Sequence, residues 1–260
     1  MNILWDELGT RLLSPKLWRG FAPPIGGVFP FSASGVPIVG LFDDFVGFGK
    51  VAPAASNVER SCSNGITYIG YGDDTAVETY AAVPSTTPSV DANGPGVIAM
   101  QAHTSDNDIS IIQAGGGTMM PFHVIPTLMK ELVFECRIKL SAITASCSDI
   151  FIGLAGTGAA ADSGVLVNDS ASLASNNFLG FTRLATQGSA LSFKYQRVDG
   201  TEGTKATVAT LVADTYIKLG FRYHAARKQC SIWVDGSEVT ASRVASTVVS
   251  ATPWPSLYMN

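Results

Sequence analysis

The chain is 260 residues long, has a formal net charge of −4 at pH 7, and contains 15% charged residues, where ordinary soluble domains have about 25%. Its length suffices for a buried core, because a folded chain of this size buries roughly 70–75% of its unfolded surface and needs no metal or disulfide to hold it. The acidic balance and the lack of any Lys/Arg run exclude the basic surface typical of nucleic-acid binding. A weakly charged surface suits a protein packed against neighbours, although it also suits an ordinary β-sandwich.

The first segment, Asn2–Trp18, predicts a short helix. Its leucines recur every four residues, at Leu4, Leu8 and Leu12. Two acidic residues occupy the first turn, where they complement the helix dipole, and a proline lies near the end. A glycine inside the stretch weakens it, so the helix needs a surface to lie on. The acidic residues stand where a secretory signal would be basic, so no signal peptide is predicted.

An uncharged stretch rich in proline and glycine, Gly20–Gly40, follows the helix. In a membrane, its prolines and glycines would leave backbone groups without partners, so a membrane span is not expected. The composition predicts an extended apolar arm that does not fold on itself and lies across a neighbouring subunit. Packing of the arm on its own domain is the alternative. Residues 1–40 are thus a predicted attachment region with the following subunit-contact residues: Leu4, Leu8, Leu12, Val28, Phe29, Phe31 and Ile38.

Residues 41–260 predict a run of short strands punctuated by turns. Strands at this spacing, with almost no helical periodicity, favour an all-β antiparallel two-sheet sandwich. The strands expected before residue 216 are Leu41–Val46, Gly65–Tyr71, Ala76–Val83, Gly96–Gln101, Asp108–Ile112, Glu131–Leu140, Asp149–Ala155, Asn177–Leu184, Ala190–Val198 and Thr204–Leu211.

The segment Tyr216–Val239 shows the strand pattern most clearly. Apolar and polar residues alternate along each half, and Asp235-Gly236 is a strong hairpin signal near its end. Glu131–Leu140 shows the same alternation, with apolar residues on one face and charged residues on the other. The alternation predicts a core that includes Leu132, Phe134, Ile138, Leu191, Phe193, Ile217, Leu219 and Phe221.

The residues that could support catalysis are few and scattered. The chain has three histidines, and the G-x-S-x-G and H-E-x-x-H motifs are absent. Glu131 and Glu135 share a strand face but lie about 13 Å apart along it, beyond the roughly 5–9.5 Å of glycosidase carboxylate pairs. Cys136 and Cys230 fall at inward strand positions, where a thiol behaves as a small hydrophobe. We therefore predict no catalytic residue, no metal site and no cofactor.

Five framework segments carry a resemblance to a known family: Leu41–Phe45 (LFDDF), Glu131–Leu140, Asp149–Leu154, Asn177–Phe181 (NFLGF) and Tyr216–Val239. Together they resemble concanavalin-like, laminin-G-type jelly-roll domains, and more narrowly those of tailed-bacteriophage virion proteins. The resemblance covers residues 41–260. The chain lacks the acidic catalytic strand of the glycosidases in this fold and an obvious lectin metal cluster.

The resemblance implies a virion structural protein, in the first place a capsid decoration or cementing protein and not an enzyme. Its expected partners are major capsid or tail proteins and copies of itself, contacted through the N-terminal arm, with no nucleic acid or membrane involved. One alternative is a carbohydrate-binding adhesin of a tail or fibre, for which Trp233 and Trp254 are the candidate glycan-binding residues. The other alternative is a diverged glycoside hydrolase.

Overall fold

The structure is a computed structural model, and it describes part of the chain. In the strands between residues 131 and 239, and at residues 111 and 113, the structure describes side chains as well as backbone. In the other strands it describes the backbone alone. The described residues are 14, 16–18, 27–31, 37–42, 59–63, 66–72, 81–82, 98–99, 110–114, 122–124, 131–144, 149–156, 165–167, 173–174, 177–196, 201–224, 229–239 and 257–259.

The chain divides into two compact units. The first comprises Met1–Pro23, His123–Gly156 and Val165–Met259, and the second comprises mainly Pro24–Phe122 and Thr157–Gly164. The predicted division into an attachment arm, residues 1–40, and a sandwich domain, residues 41–260, is not tested by this grouping. It stays a prediction.

Strands account for almost all the regular structure of the described residues, and a short 3₁₀ turn occupies Ala185–Gln187. In chain order they are β1 (Gly27–Phe31), β2 (Pro37–Phe42), β3 (Glu59–Ser63), β4 (Ile66–Gly72), β5 (Ala81–Ala82), β6 (Ile98–Ala99), β7 (Ser110–Ala114), β8 (Phe122–Val124), β9 (Leu132–Ile138), β10 (Ile150–Ala155), β11 (Phe178–Arg183), β12 (Ala190–Gln196), β13 (Gly203–Thr210), β14 (Ile217–His224), β15 (Gln229–Val234), β16 (Ser237–Glu238) and β17 (Leu257–Met259).

Two four-stranded antiparallel sheets form the body of the first unit. One has the strand order β10-β11-β12-β13 and the other the order β16-β15-β14-β9. The chain leaves the second sheet after β9, builds the first sheet from four consecutive strands, and returns as β14 beside β9. The prediction of an all-β, antiparallel two-sheet sandwich is confirmed.

Aromatic rings from both sheets meet at Phe221, on the inner face of β14. Its ring centroid lies 5.0 Å from that of Phe134 on β9, and 5.5 Å and 6.3 Å from those of Phe193 and Phe181 on the facing sheet. Phe181 and Phe193 also meet edge to face at 5.2 Å. Such pairs stabilise a core beyond the area that they bury, so this cluster joins the two sheets.

The predicted core residues fall into two groups, one almost completely buried and one half-buried. Those on β12 and at the centre of β14, Leu191, Phe193, Leu219 and Phe221, are almost completely buried. The others, Leu132, Phe134, Ile138 and Ile217, are half-buried. The first three lie on β9, the last strand of its sheet in the described part, and Ile217 begins β14. The predicted register is confirmed, because Leu219 faces the core opposite Cys136.

The predicted Asp235-Gly236 hairpin is also confirmed. Both residues have positive φ angles, 47° and 76°, as a two-residue type I′ turn requires. The Lys218 amide donates to the Asp235 carboxylate at 2.9 Å, and the Asp235 amide donates to the Lys218 carbonyl at 2.8 Å. The turn joins β15 to β16, and its two bonds to Lys218 also hold its first residue to β14.

The second unit contains the β1–β2 hairpin, the sheet β3-β4-β7 and the short β5–β6 pair. The prediction that Gly20–Gly40 does not fold on itself is wrong where residues 27–31 of β1 pair with residues 37–42 of β2. The prolines permit this pairing: Pro30 lies where the register shifts and Pro37 begins its strand, and proline is tolerated at both kinds of position. Elsewhere, β8 pairs with β17.

We expect Phe221→Ala to lower the free energy of unfolding by about 3–5 kcal/mol, because it removes a ring that contacts both sheets and leaves a cavity. Val212→Ala is the matched control, since Val212 is 59% exposed and its truncation should change stability by no more than about 0.5 kcal/mol. Urea unfolding of both variants measures the difference. Similar losses in the two variants would contradict the assigned core.

Candidate functional site

The outer face of the sheet β16-β15-β14-β9 carries a docked piece of the N-terminal region. We call residues 14 and 16–18 the N-terminal turn, and Glu135, Gly220 and Arg222 its acceptor. Gly220 and Glu135 are register partners on β14 and β9. The alternation along β9 predicts a charged outer face there, and the structure shows that part of this face is covered.

Glu135 binds the turn through three donors. The Ser14 amide donates to both carboxylate oxygens, at 3.1 Å and 3.0 Å, and the Ser14 hydroxyl donates to Oε1. The Trp18 indole Nε1 donates to Oε2 at 2.5 Å. Hydrogen bonds to an ionised acceptor are stronger than neutral ones. One carboxylate therefore holds both ends of the turn, which its own Trp18 amide closes by donating to the Ser14 carbonyl at 3.1 Å.

Leu17 fills the space above Gly220 and is completely buried. A Cβ at position 220 would lie 2.4 Å from Leu17 Cδ2, so any side chain there would displace the leucine. A glycine within a strand often marks a close approach of this kind. The sheet is thus shaped to receive this one apolar side chain.

Arg222 holds the turn from the other side. Its Nη1 donates to the Leu17 carbonyl at 3.2 Å, while Nε donates to Glu131 Oε2 at 3.1 Å and Nη2 pairs with the same oxygen. Glu131 therefore orients the guanidinium that binds the turn. Glu135 on β9 and Glu131, the residue before β9, were considered above as a possible catalytic pair. Each has its own structural partner, since Glu135 binds the turn and Glu131 binds Arg222.

Buried charges of the facing sheet also hold backbone segments. Lys194 on β12 pairs with Glu202 at 2.6 Å, and the second oxygen of Glu202 accepts the Leu173 amide at 3.1 Å. Arg183, completely buried on β11, donates to the Gly188 carbonyl at 2.7 Å and to the Thr144 carbonyl at 2.5 Å. Burying a charge is costly unless it is paired and hydrogen-bonded, and these contacts supply the partners.

Most of the site residues predicted from sequence fall outside the described side chains. Leu4, Leu8, Leu12 and Trp254 lie outside the described residues. Val28, Phe29, Phe31 and Ile38 lie in β1 and β2, where only the backbone is described. Their role in subunit contact stays a prediction.

Trp233, the remaining candidate for glycan binding, lies half-buried on β15. Its indole Nε1 donates to Ser231 Oγ at 3.1 Å, and His224 Nε2 lies 3.1 Å from the same oxygen. Trp233 pairs in register with Gly220, so it belongs to the same outer face as the acceptor.

Sequence reasoning missed the docking of the N-terminal turn. The contacts join residues 117 to 205 positions apart, and no local periodicity reports such pairs. One signal was present: Gly220 interrupts an otherwise bulky strand, Ile217–His224. A strand glycine of this kind points to a close approach by another segment, although it does not identify that segment.

Cys230 is buried and Cys136 is half-buried, both at the inward strand positions that the alternation predicted. Burial, and to a smaller extent the Glu135 charge, raise the pKa of the Cys136 thiol to about 12. Burial also raises the pKa of Cys230. Since the thiolate is the nucleophile, neither thiol is suited to nucleophilic catalysis at neutral pH.

Among the residues that the structure describes, no helix is long and apolar enough to span a membrane. Within the same residues, no group of three or more His, Cys, Asp and Glu side chains is placed to hold a metal ion.

Comparison with known proteins gives little. No protein family matches the chain, and no curated protein matches it. Among solved structures, the chain is similar to the crystal structure of an endo-β-1,4-glucuronan lyase from the fungus Trichoderma reesei, with 12% identity and a TM-score of 0.31 over 76% of this chain and 68% of that one. A likeness at this level carries no argument about function.

We expect Leu17→Ala to lower the free energy of unfolding by about 2–5 kcal/mol, because it empties the space above Gly220. Lys16→Ala is the matched control in the same turn, since Lys16 is exposed and its truncation should cost no more than about 0.5 kcal/mol. Urea unfolding followed by tryptophan fluorescence measures both. Equal stability of the two variants would show that the turn is not docked.

The two inward-facing cysteines, Cys136 and Cys230, should resist thiol reagents in the folded protein. The rise in the pKa of Cys136 from about 9 to about 12 lowers its thiolate fraction roughly a thousandfold. Mass spectrometry after alkylation at pH 8 should find Cys136 and Cys230 unmodified when folded and modified in denaturant. Because the unfolded thiol loses its proton first, this group's contribution is fully present below about pH 9 and is lost toward pH 12. Rapid alkylation of the folded chain at Cys136 would contradict the rise in its pKa.

Proposed function

We propose that the protein is a structural component of a bacteriophage virion, in the first place a capsid decoration or cementing protein that binds neighbouring subunits through its N-terminal region. The observation that carries the proposal is the docked N-terminal turn. Three hydrogen-bonding groups and the buried Leu17 fix the N-terminal turn to the outer face of the sandwich. The leucine-bearing residues before Ser14 therefore join the sandwich at a fixed point, as an attachment region requires.

The use of the charged side chains supports a structural role over a catalytic one. In the described part of the chain, Glu135 and Arg222 hold the N-terminal turn, and Arg183 and Glu202 hold backbone groups of neighbouring loops. Catalytic acids and bases are poised toward a substrate, whereas these groups are bound to the protein's own backbone. The low charged fraction of 15% also suits a surface packed against neighbours.

Purified virions of the source phage test this proposal. Quantitative mass spectrometry should find the chain in many copies per particle, and a particle reconstruction should place it at symmetric positions. Its absence from particles would overturn the proposal.

A truncation at Ser14 isolates the attachment step. A chain that lacks residues 1–13 keeps the docked turn and should retain its melting temperature. We expect its copy number on particles to fall by about tenfold or more, which corresponds to a loss of at least about 1.4 kcal/mol of binding free energy. The full-length chain is the control, and unchanged occupancy by the truncated chain would show that residues 1–13 are not the attachment region.

A glycan-binding adhesin is the second candidate, and Trp233 favours it. An aromatic ring beside polar groups such as His224 and Ser231 suits the stacking and hydrogen bonding of a sugar. Binding of the chain to a glycan array, lost in Trp233→Ala, would support this candidate. Turnover of a glycan by the purified chain would instead identify an enzyme.

A further inference from the structure

We infer that the core of the sandwich holds one ordered water molecule, bound by the Tyr223 hydroxyl and shared with Tyr195 and Cys230. This internal hydration site goes beyond the proposed function, and neither depends on the other. A buried hydroxyl, two further polar side chains in the same layer of the core and one glycine define the site.

Tyr223 lies on the inner face of β14, two positions beyond Phe221. Only 4% of the residue is exposed. Its hydroxyl oxygen is buried, and no group in the described part of the chain forms a hydrogen bond with it. A buried hydroxyl without a partner destabilises the folded state, and folded proteins nearly always supply a partner, either a protein group or an ordered water.

The strand registers place two more polar groups in the same layer of the core. Cys230 on β15 is the register partner of Tyr223. Tyr195 on β12 lies two positions beyond Phe193, whose ring meets that of Phe221 across the sandwich at 5.5 Å. Burial, and to a smaller extent the neighbouring Cys230, raise the pKa of both tyrosines. The thiol is therefore close to both hydroxyls, and the two tyrosines face each other from opposite sheets.

These three groups have the chemistry that a single water requires. A buried water makes about three hydrogen bonds, a phenol hydroxyl both donates and accepts, and a thiol does both weakly. Because the pKa of each group is raised, all three stay protonated and uncharged at neutral pH, which favours a neutral ligand over an ion. Leu132 and Leu179, the register partners of Tyr223 and Tyr195 on their other sides, are apolar, so the polar partners suffice for one water.

Gly203 determines where the Tyr195 ring lies. It is the register partner of Tyr195 on β13, and a Cβ built on it would lie 2.1 Å from Cζ of that ring and 2.4 Å from the hydroxyl oxygen. The ring therefore leans sideways over the glycine, where any other residue would collide with it. A ring that leans toward β13 does not extend straight across to Tyr223, and the water is placed between the two hydroxyls.

A high-resolution crystal structure of the full chain tests the site directly. We expect a water peak about 2.5–3.0 Å from the Tyr223 hydroxyl oxygen, within hydrogen-bonding distance of Tyr195 or Cys230 as well. The structure of Tyr223→Phe should lack this peak. A protein group bound to the Tyr223 hydroxyl, or a hydroxyl with no neighbour at this distance, would overturn the inference.

Urea unfolding of Tyr223→Phe gives a second, independent readout. If the hydroxyl binds water, its removal should raise the equilibrium constant for unfolding about three- to tenfold, because a net hydrogen bond is lost. If the hydroxyl has no partner, its removal relieves a buried polar group, and a constant that is unchanged or smaller overturns the inference. Tyr216→Phe is the matched control: Tyr216 is half-buried, with Arg137 4.0 Å above its ring, and the constant should change by no more than about twofold.

Discussion

The alternation of side chains along β14 is the constraint on which the rest of the described structure depends. On its inner face, Leu219 and Phe221 are completely buried, and Phe221 joins rings from both sheets. On its outer face, Gly220 and Arg222 receive the N-terminal turn. Because the period of a strand is two residues, a slip of one position would exchange the two faces. A single register therefore determines both the core and the acceptor.

That register is held at both edges of β14. Seven consecutive pairs join it to β9, from Ile217 opposite Ile138 to Tyr223 opposite Leu132. On the other edge it pairs with β15 from Leu219 to His224, and Lys218 donates to the Asp235 carboxylate at the end of β15. The acceptor is built across this arrangement, since Glu135 comes from β9 and Arg222 from β14. Its geometry is thus set by paired strands, which hold a site more rigidly than loops do.

Much of this architecture could be predicted from sequence because it is local. Strict alternation identified β9, β12 and β14, and the Asp-Gly pair identified the hairpin. β3 (Glu59–Ser63) was missed because its residues, ERSCS, carry no apolar alternation. The β1–β2 hairpin was missed because Pro30 lies at a register shift, where the usual argument against proline in strands does not apply.

The candidate site was missed for a different physical reason. Its contacts are long-range, and its key position, Gly220, is informative because it has no side chain. Glu135 and Arg222 looked like the solvated residues of a half-buried strand, since a charge on an outer face is normally solvated. The sequence does not show which distant segment covers such a face, because serine and leucine occur many times along the chain and tryptophan occurs four times.

The placement of the turn outside the core separates the docking of the turn from the packing of the core. Phe221 and its partners lie between the two sheets, whereas the turn lies on the outer face of one sheet, where Leu17 packs over Gly220 of β14. Regions with few buried contacts open at lower free energy than the core. Leu17 is the one large apolar side chain that the described turn buries, so undocking of the turn would expose that side chain and leave the rings around Phe221 packed between the sheets.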